Sequence, residues 1–130
     1  MDKPKVNIAY WSSGLKKSET YSVNGISHRE DGPSVILYFS SGVKQAEFYT
    51  VNGKLHRADG PASINWYGNG NPYVEKYYKK NLLHRLDGPA NISYTESGKI
   101  YFQGYYINGD FIRASTPEQF KKHVKLMMFR

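Results

Sequence analysis

The 130-residue chain contains no cysteine, which excludes disulfide bonds and thiolate metal sites and is typical of a reducing compartment. It also lacks any run approaching the ~20 apolar residues that cross a bilayer. The first residues, Met1 to Lys5, are not followed by the apolar segment of a signal peptide. We therefore expect a cytoplasmic protein without a membrane span.

Acidic residues are scarce: 11 Asp and Glu stand against 18 Lys and Arg, and the net charge is +7. This balance favours acidic partners such as nucleic acid, anionic lipid or an acidic protein surface, and it excludes an acidic mimic of DNA. Aromatic residues are abundant, with 12 Tyr, 6 Phe and 2 Trp, whereas aliphatic residues are few. We therefore expect a core that is largely aromatic and partly polar.

The motif His-Arg-x-Asp-Gly-Pro occurs three times at a constant step of 28 residues, at positions 28–33, 56–61 and 84–89. The same step aligns four isoleucines (Ile8, Ile36, Ile64, Ile92) and four tyrosines (Tyr21, Tyr49, Tyr77, Tyr105). Such a period is typical of a stacked array in which each unit buries its apolar face against its neighbours.

Each unit has the pattern of a β-hairpin. Fixed and variable residues alternate after each Gly-Pro, as expected for a strand with one buried face, and the proline is expected at the first strand residue. A Gly-containing turn then leads to a second strand, Glu47-x-Tyr49-x-Val51 in the second unit. Asn-Gly at 24–25, 52–53 and 108–109 predicts a tight turn back.

The predicted fold is therefore mainly β: a single elongated antiparallel β-meander of four hairpin repeats of about 28 residues, with a C-terminal capping α-helix. The repeats cover about residues 5–32, 33–60, 61–88 and 89–115 of one domain, 1–130. In the last unit the motif becomes a helix start, with Thr116 as the cap, Pro117 in the first turn and Gln119 at capping-box spacing. This helix, about 117–128, is expected to bury Phe120 and to cover the last strand edge.

The repeated loops contain the residue types of an acid–base site, but we interpret them as structural turns. Catalysis needs unlike groups that converge on one point, whereas these residues recur at equivalent places in successive units. The aspartates are expected to accept backbone N–H groups, and the arginines to bind those aspartates or Glu19, Glu47 and Glu75. The turn residues are His28, Arg29, Asp31, His56, Arg57, Asp59, His84, Arg85 and Asp87. No catalytic residue, metal ligand or cofactor motif is predicted, and the chain is expected not to be an enzyme.

Candidate binding residues lie where the chain departs from the repeat. The third unit replaces the aliphatic position and Asn-Gly with a basic, tyrosine-rich segment, and the predicted helix adds a basic face. The candidates are Lys76, Tyr77, Tyr78, Lys79, Lys80, Lys121, Lys122 and Lys125. Interleaved tyrosine and lysine suit either nucleic acid or an acidic groove of a protein. Both alternatives remain open, and pairing of two copies through strand edges is a third kind of contact.

The combination of His-Arg-x-Asp-Gly-Pro, an alternating strand and Tyr-x-x-Asn-Gly, over about residues 21–116, resembles the short repeats of bacteriophage and large-DNA-virus proteins. It is also distantly similar to MORN repeats. The resemblance implies a non-enzymatic β-repeat scaffold, often virus-encoded, that contacts proteins or acidic lipids. It favours a phage-encoded inhibitor or adaptor acting on a host protein with an acidic or mixed surface, such as an anti-CRISPR protein. Such a protein would act in the host-cell cytoplasm.

Overall fold

The computed structural model of the chain describes residues 3–129. The strands are β1 Lys5–Tyr10, β2 Lys16–Val23, β3 Ile26–Ser27, β4 Val35–Tyr38, β5 Lys44–Phe48, β6 Thr50–Val51, β7 Lys54–Leu55, β8 Ser63–Trp66, β9 Pro72–Lys76, β10 Tyr78–Lys79, β11 Leu82–Leu83, β12 Asn91–Tyr94, β13 Ile100–Ile107 and β14 Asp110–Ile112, and the helix is α1 Pro117–Met128.

The main sheet is an antiparallel meander, and its strand order is β1, β2, β4, β5, β8, β9, β12, β13, β14, with β3 paired to the end of β2. The small hairpins β6–β7 and β10–β11 form two further sheets. Every connection joins neighbouring strands, because each unit supplies one long hairpin and one short hairpin. The predicted mainly-β meander with a single C-terminal helix is confirmed.

The residues that recur at the 28-residue step form the buried face of the main sheet. Ala62 and Ala90 are fully buried, and Ile36 and Ile92 are 7% and 8% exposed. In the first unit Ile8 lies on the outermost strand and is 41% exposed. Ile64, on an interior strand, is half-buried. The isoleucine is therefore less exposed in the three interior units than on the outermost strand.

Two predicted strand boundaries are wrong. The prolines of the repeated motif lie two residues before the strands β4, β8 and β12, because each proline carbonyl is bound by the arginine of its own loop. The continuous second strand is interrupted at Tyr49, whose N–H donates to Ala62 and whose carbonyl accepts from His56. The chain changes direction there, so the short hairpin β6–β7 is separate from the main sheet.

The tight turns have the left-handed backbone that their sequences predict. Asn24 and Gly25 have φ values of 51° and 77°. In the third unit Lys80 and Asn81 adopt the same conformation, with φ values of 48° and 69°, so the hairpin β10–β11 forms without Asn-Gly. The sequence left the pairing of this unit open, and the structure shows it paired like the others.

The sequence predicts a core that is largely aromatic and partly polar. The aromatic part of this prediction is wrong, and the polar part is confirmed. Only Tyr105 and Phe120 are buried aromatic side chains among residues 3–129. Polar residues, by contrast, are well represented among the buried positions: Glu19, His28, Ser34, Glu47, Thr50 and Ser63. Most tyrosines are half-buried, because the layer that lies over the main sheet consists of loops and side chains.

The predicted helix is confirmed over its full range. The Thr116 side chain accepts from the backbone N–H of Gln119, and the Gln119 side chain accepts from Ser115 N–H, one residue before the cap. Phe120 is 2% exposed and stacks on Tyr105, with 4.5 Å between ring centroids. Partly buried Ile112, Ala114, Val124 and Met127 complete this cluster. The helix therefore covers the C-terminal half of β13, whereas Ile100, Tyr101 and Phe102 in its N-terminal half remain exposed.

The third-unit turn offers a test of backbone strain. A lysine is strained in the left-handed region, where asparagine is tolerated, so Lys80→Asn should raise the free energy of unfolding by about 0.5 to 1 kcal/mol. The reciprocal change Asn24→Lys, at the equivalent place in the first unit, should lower it by a similar amount. Urea unfolding at pH 7 measures both, and equal midpoints for the variants and the wild type would contradict the prediction.

Candidate functional site: two grooves between the repeated loops

Each repeated loop is built around an arginine with three contacts, two inside its own unit and one to the first residue of the next unit. Arg57 Nε donates to Asp59 Oδ1 over 3.2 Å, and Arg57 Nη1 donates to the Pro61 carbonyl over 3.1 Å. The guanidinium carbon also lies 3.9 Å from the ring centroid of Tyr49. We call this arrangement the arginine clamp. The other two clamps join Arg29 with Asp31, Pro33 and Tyr21, and Arg85 with Asp87, Pro89 and Tyr77.

The glycine of the motif is required by the clamp. A Cβ atom added to Gly60 would lie 2.9 Å from Arg57 Cζ, and the distance is the same at Gly32 and Gly88 for their own arginines. Contacts this short are not tolerated, so a side chain would displace the guanidinium. The motif thus supplies an arginine, two acceptors for it and the space that it occupies.

The predicted role of the motif aspartates is wrong in its detail. They were expected to accept backbone N–H groups, but their hydrogen bonds come from the arginine Nε atoms. Their side chains are 86% to 87% exposed. The carboxylates therefore remain accessible to a partner, and the expected pairing of arginine with aspartate is confirmed.

The motif histidines bind the next unit. His28 Nδ1 accepts from Asn52 N–H over 2.9 Å, His56 from Lys80 N–H over 3.2 Å and His84 from Asn108 N–H over 2.9 Å. A nitrogen that accepts a hydrogen bond carries no proton, so Nδ1 is the acceptor and not the donor of each ring in these contacts. Each histidine therefore connects a loop to the tight turn that lies 24 residues further along the chain.

The alternative partners suggested for the arginines, Glu19, Glu47 and Glu75, have partners of their own on the sheet. Glu19 binds Lys16 over 2.6 Å and accepts from the Tyr38 hydroxyl, and the hydrogen bond with Lys16 lowers the pKa of this carboxyl. Glu47 binds Lys44. Glu75 accepts from the Tyr94 hydroxyl, and burial together with this bond raises the pKa of Tyr94 to about 12.

Two grooves lie between consecutive loops, one repeat apart. Groove A has a volume of about 600 Å³ and lies between the first and second loops over Tyr49 and Val51. Groove B has a volume of about 500 Å³ and lies between the second and third loops over Tyr77, Tyr78 and Lys79. Arg57 and Asp59 contribute to both grooves.

The two grooves are formed at equivalent places in the repeat but differ in charge. Groove A is lined by three acidic residues (Glu30, Asp31, Asp59) and two arginines (Arg29, Arg57). Groove B is lined by two acidic residues (Asp59, Asp87) and three basic ones (Arg57, Lys79, Arg85). The difference arises at two repeat positions: Lys79 replaces Val51, and Ala58 replaces Glu30. Equivalent grooves therefore present different chemistry.

The structure divides the basic, tyrosine-rich segment between different surroundings. Lys76 is half-buried in the main sheet, paired with Ser63 and Asn91, and the Tyr77 ring is covered by Arg85. Tyr77, Tyr78 and Lys79 line groove B, although the Tyr77 ring is covered by Arg85. Lys80 is exposed in the adjacent turn and does not line groove B.

The helix lysines form a separate surface. Lys121, Lys122 and Lys125 are all exposed on α1. Among residues 3–129, no hydrogen bond, ion pair or ring contact joins them to the third-unit residues. The helix lysines and the third-unit residues therefore make no contact of these kinds with each other.

Sequence reasoning missed most of the groove lining. Glu30, Ala58 and Leu86 occupy the variable position of His-Arg-x-Asp-Gly-Pro, and all three line a groove. This position is the only one that varies within the motif, which was the available signal. The clamp uses the arginine, aspartate, glycine and proline positions, and the histidine binds the next tight turn, so variation within the motif is confined to a residue that lines a groove.

Within residues 3–129, no group of three or more metal-binding side chains is suitably arranged, and no helix is long and apolar enough to cross a membrane. Searches against protein-family models, curated proteins and solved structures find no significant match for the chain. The resemblance to viral repeats and to MORN repeats therefore stays a prediction, and function must be inferred from the grooves.

The arginine clamp predicts that lysine, the usual replacement for arginine, supports the fold markedly less well. Arg57→Lys should lower the free energy of unfolding by about 1 to 3 kcal/mol, because lysine cannot stack as a planar group on Tyr49 while donating to two acceptors. Asp59→Asn is the control, and it should cost less than about 1 kcal/mol since this side chain is largely exposed. Urea unfolding measures both, and a larger loss for the aspartate variant would contradict the clamp.

The contact of His84 with Asn108 predicts that acid destabilises the fold. Burial, and then the charge of Lys79, lower the pKa of His84 below 6.5, so the unfolded chain binds a proton more readily than the folded chain does. The stabilising contribution of neutral His84 is complete above about pH 6.5 and is lost as the pH falls through the folded-state pKa. The free energy of unfolding should therefore decrease as the pH falls from 7.5 to 5. The carboxyl of Glu19 titrates below this pH range. The decrease should be smaller in His84→Gln, and an identical slope in that variant would refute the assignment.

Proposed function

We propose that this chain is a non-enzymatic binding protein that docks on another protein through grooves A and B. The observation that carries the proposal is that one groove is built twice, from equivalent residues, with different linings. A repeated groove suits a partner surface that spans both units, whereas catalysis needs a single convergent site. The motif histidines also bind the backbone through Nδ1, which leaves them poorly placed to act as general bases.

Groove B defines the chemistry of the expected partner. Lys79 is exposed and offers a positive charge, while the carboxylates of Asp59 and Asp87 offer negative charge at the opposite walls. Tyr78 and Leu86 add apolar surface between them. Tyrosine and arginine in a partly desolvated groove are residue types that dominate binding energy in protein interfaces. The partner is therefore a protein face of mixed charge with an acidic side chain opposite Lys79.

We propose a phage-encoded inhibitor or adaptor of a host protein as the biological setting. The repeat pattern supports a viral origin through its resemblance to phage and large-virus repeats, and the net charge of +7 supports docking on acidic or mixed surfaces. An anti-CRISPR or another anti-defence protein is the concrete form. Its site of action would then be the host-cell cytoplasm.

Nucleic-acid binding is the second candidate. It is favoured by Tyr78, Lys79 and Lys80, which share the exposed hairpin β10–β11 and could combine base stacking with phosphate contacts. It is weakened by Tyr77, whose ring faces Arg85 in the same way as Tyr21 and Tyr49 face their arginines. The protein-docking proposal uses more of the observed groove.

An exchange between the two grooves tests the proposal without disturbing the fold. Lys79→Val gives groove B the residue that groove A has at the same position, so the variant should fold normally and bind at least about tenfold more weakly. Lys99→Val is the matched control, because it removes an exposed lysine that lines neither groove and gives it the residue that Val43 supplies at the equivalent place in the second unit. The tagged chains are used to retain proteins from nuclease-treated bacterial lysate, and the retained protein is then titrated with each variant.

The outcomes separate the two candidates. A defined protein retained by the wild type and by Lys99→Val, but lost with Lys79→Val, supports docking through groove B. Retention that disappears with nuclease, together with salt-sensitive binding of a single-stranded oligonucleotide, would replace the proposal by nucleic-acid binding. Equal retention by all three chains would show that groove B is not the docking surface.

A further inference from the structure

The two ends of the main sheet are different. At the C-terminal end, α1 occupies the place of a fifth unit: Phe120 keeps the 28-residue phase of Ile36, Ile64 and Ile92 and packs on Tyr105. At the N-terminal end, β1 pairs only with β2 among the described residues. All six residues of β1 are exposed. The sheet therefore has one end that is partly covered by a cap, over the C-terminal half of β13, and one edge, β1, that is open along its whole length.

The open edge carries side chains that the repeat buries elsewhere. Ile8 is 41% exposed, whereas Ile36 and Ile92, its equivalents in later units, are 7% and 8% exposed. Val6 and Tyr10, on the same face of β1, are 46% and 58% exposed. The difference between these exposed fractions is the part of the isoleucine side chain that a second neighbouring strand covers in the interior units. An additional strand beside β1 would restore that burial.

The most direct candidate for this additional strand is the second strand of the last unit, β13, but β13 cannot supply it. In the repeat, a β1-type strand is covered by the second strand of the preceding unit, as β2 covers β4 through Glu19 and Ile36. The only second strand without a following unit is β13, and α1 lies over its C-terminal half. A head-to-tail contact between copies would place the start of β1 against α1. The edge therefore needs a different partner.

The sequence of β1 is self-complementary in the antiparallel sense. With Ile8 placed on a two-fold axis, Ile8 faces Ile8 of the second copy, Val6 faces Tyr10, and Asn7 faces Ala9. Opposed residues share a face, so three apolar pairs lie together, and two of them, related by the two-fold axis, are aromatic with β-branched. Lys5 is the only charge in the strand, and it faces Trp11 rather than another lysine. No like charges meet directly in this register.

We propose that two copies of the chain associate through antiparallel pairing of their β1 edges, with Ile8 on the two-fold axis. The contact is independent of grooves A and B. It is small for a protein interface, and each copy carries a charge of +7, so association should be weak, with a dissociation constant of about 10 µM or above. Added salt should strengthen it by screening the repulsion between copies.

The absence of native cysteine allows a test of register. Ile8→Cys should form a disulfide-linked dimer under mild oxidation, because directly opposed Cα atoms are about 4.5 to 5.5 Å apart, within disulfide reach. Val6→Cys is the matched control: it is equally exposed, but its copy-to-copy Cα separation would be about 14 Å, beyond disulfide reach. Phe102→Cys, 43% exposed on the open part of β13, is the control for the other edge.

The expected result is at least about tenfold faster linkage for Ile8→Cys than for either control, with all three variants melting near the wild-type temperature. Sedimentation velocity of the wild type should show a dimer that increases with protein concentration and with salt, and Ile8→Lys should remain monomeric. Equal linkage of Ile8→Cys and Val6→Cys, preferential linkage of Phe102→Cys, or a wild type that stays monomeric at every concentration would each overturn the proposal.

Discussion

The contact between each motif arginine and the tyrosine of its own unit is the interaction on which the rest of the molecule depends. It fixes the loop against the sheet, since the same guanidinium also binds the motif aspartate and the proline carbonyl. The loop in turn carries the histidine that accepts from the next tight turn. Successive units are thus connected by side chains as well as by strand pairing, which a thin sheet with few buried aromatic residues requires.

The sequence was sufficient for the parts of the fold that follow from period and local chemistry. The step of 28 residues predicted the meander, and the alternation of fixed and variable residues predicted the buried isoleucines. The capping residues predicted the helix over Pro117–Met128. Side-chain partners were harder to predict, because they depend on which units become neighbours. The histidine acceptors join residues 24 positions apart, and the aspartates bind an arginine rather than the backbone. Neither contact has a local sequence signal.

The candidate site shows the same division. Lys79 and Tyr78 stand out because they break the repeat, and they do line groove B. Tyr77 stands out equally in a list of tyrosines and lysines, yet it keeps the 28-residue phase of Tyr21 and Tyr49 and has their structural role. Within a repeat, departure from the period is therefore the better indicator of a binding residue than residue type. The variable position occupied by Glu30, Ala58 and Leu86 meets this criterion as well.

The ends of the array follow from the same constraint as its interior. The repeated isoleucine is less exposed on the interior strands, which have a neighbour on each side, than on β1, and α1 takes the place of a further strand at the C-terminal end. Within residues 3–129, no element other than β2 pairs with β1. Pairing of two β1 edges about a two-fold axis would produce one continuous sheet with an α1 cap at both ends. Such an assembly is closed and stops at two copies, whereas head-to-tail pairing would continue without limit.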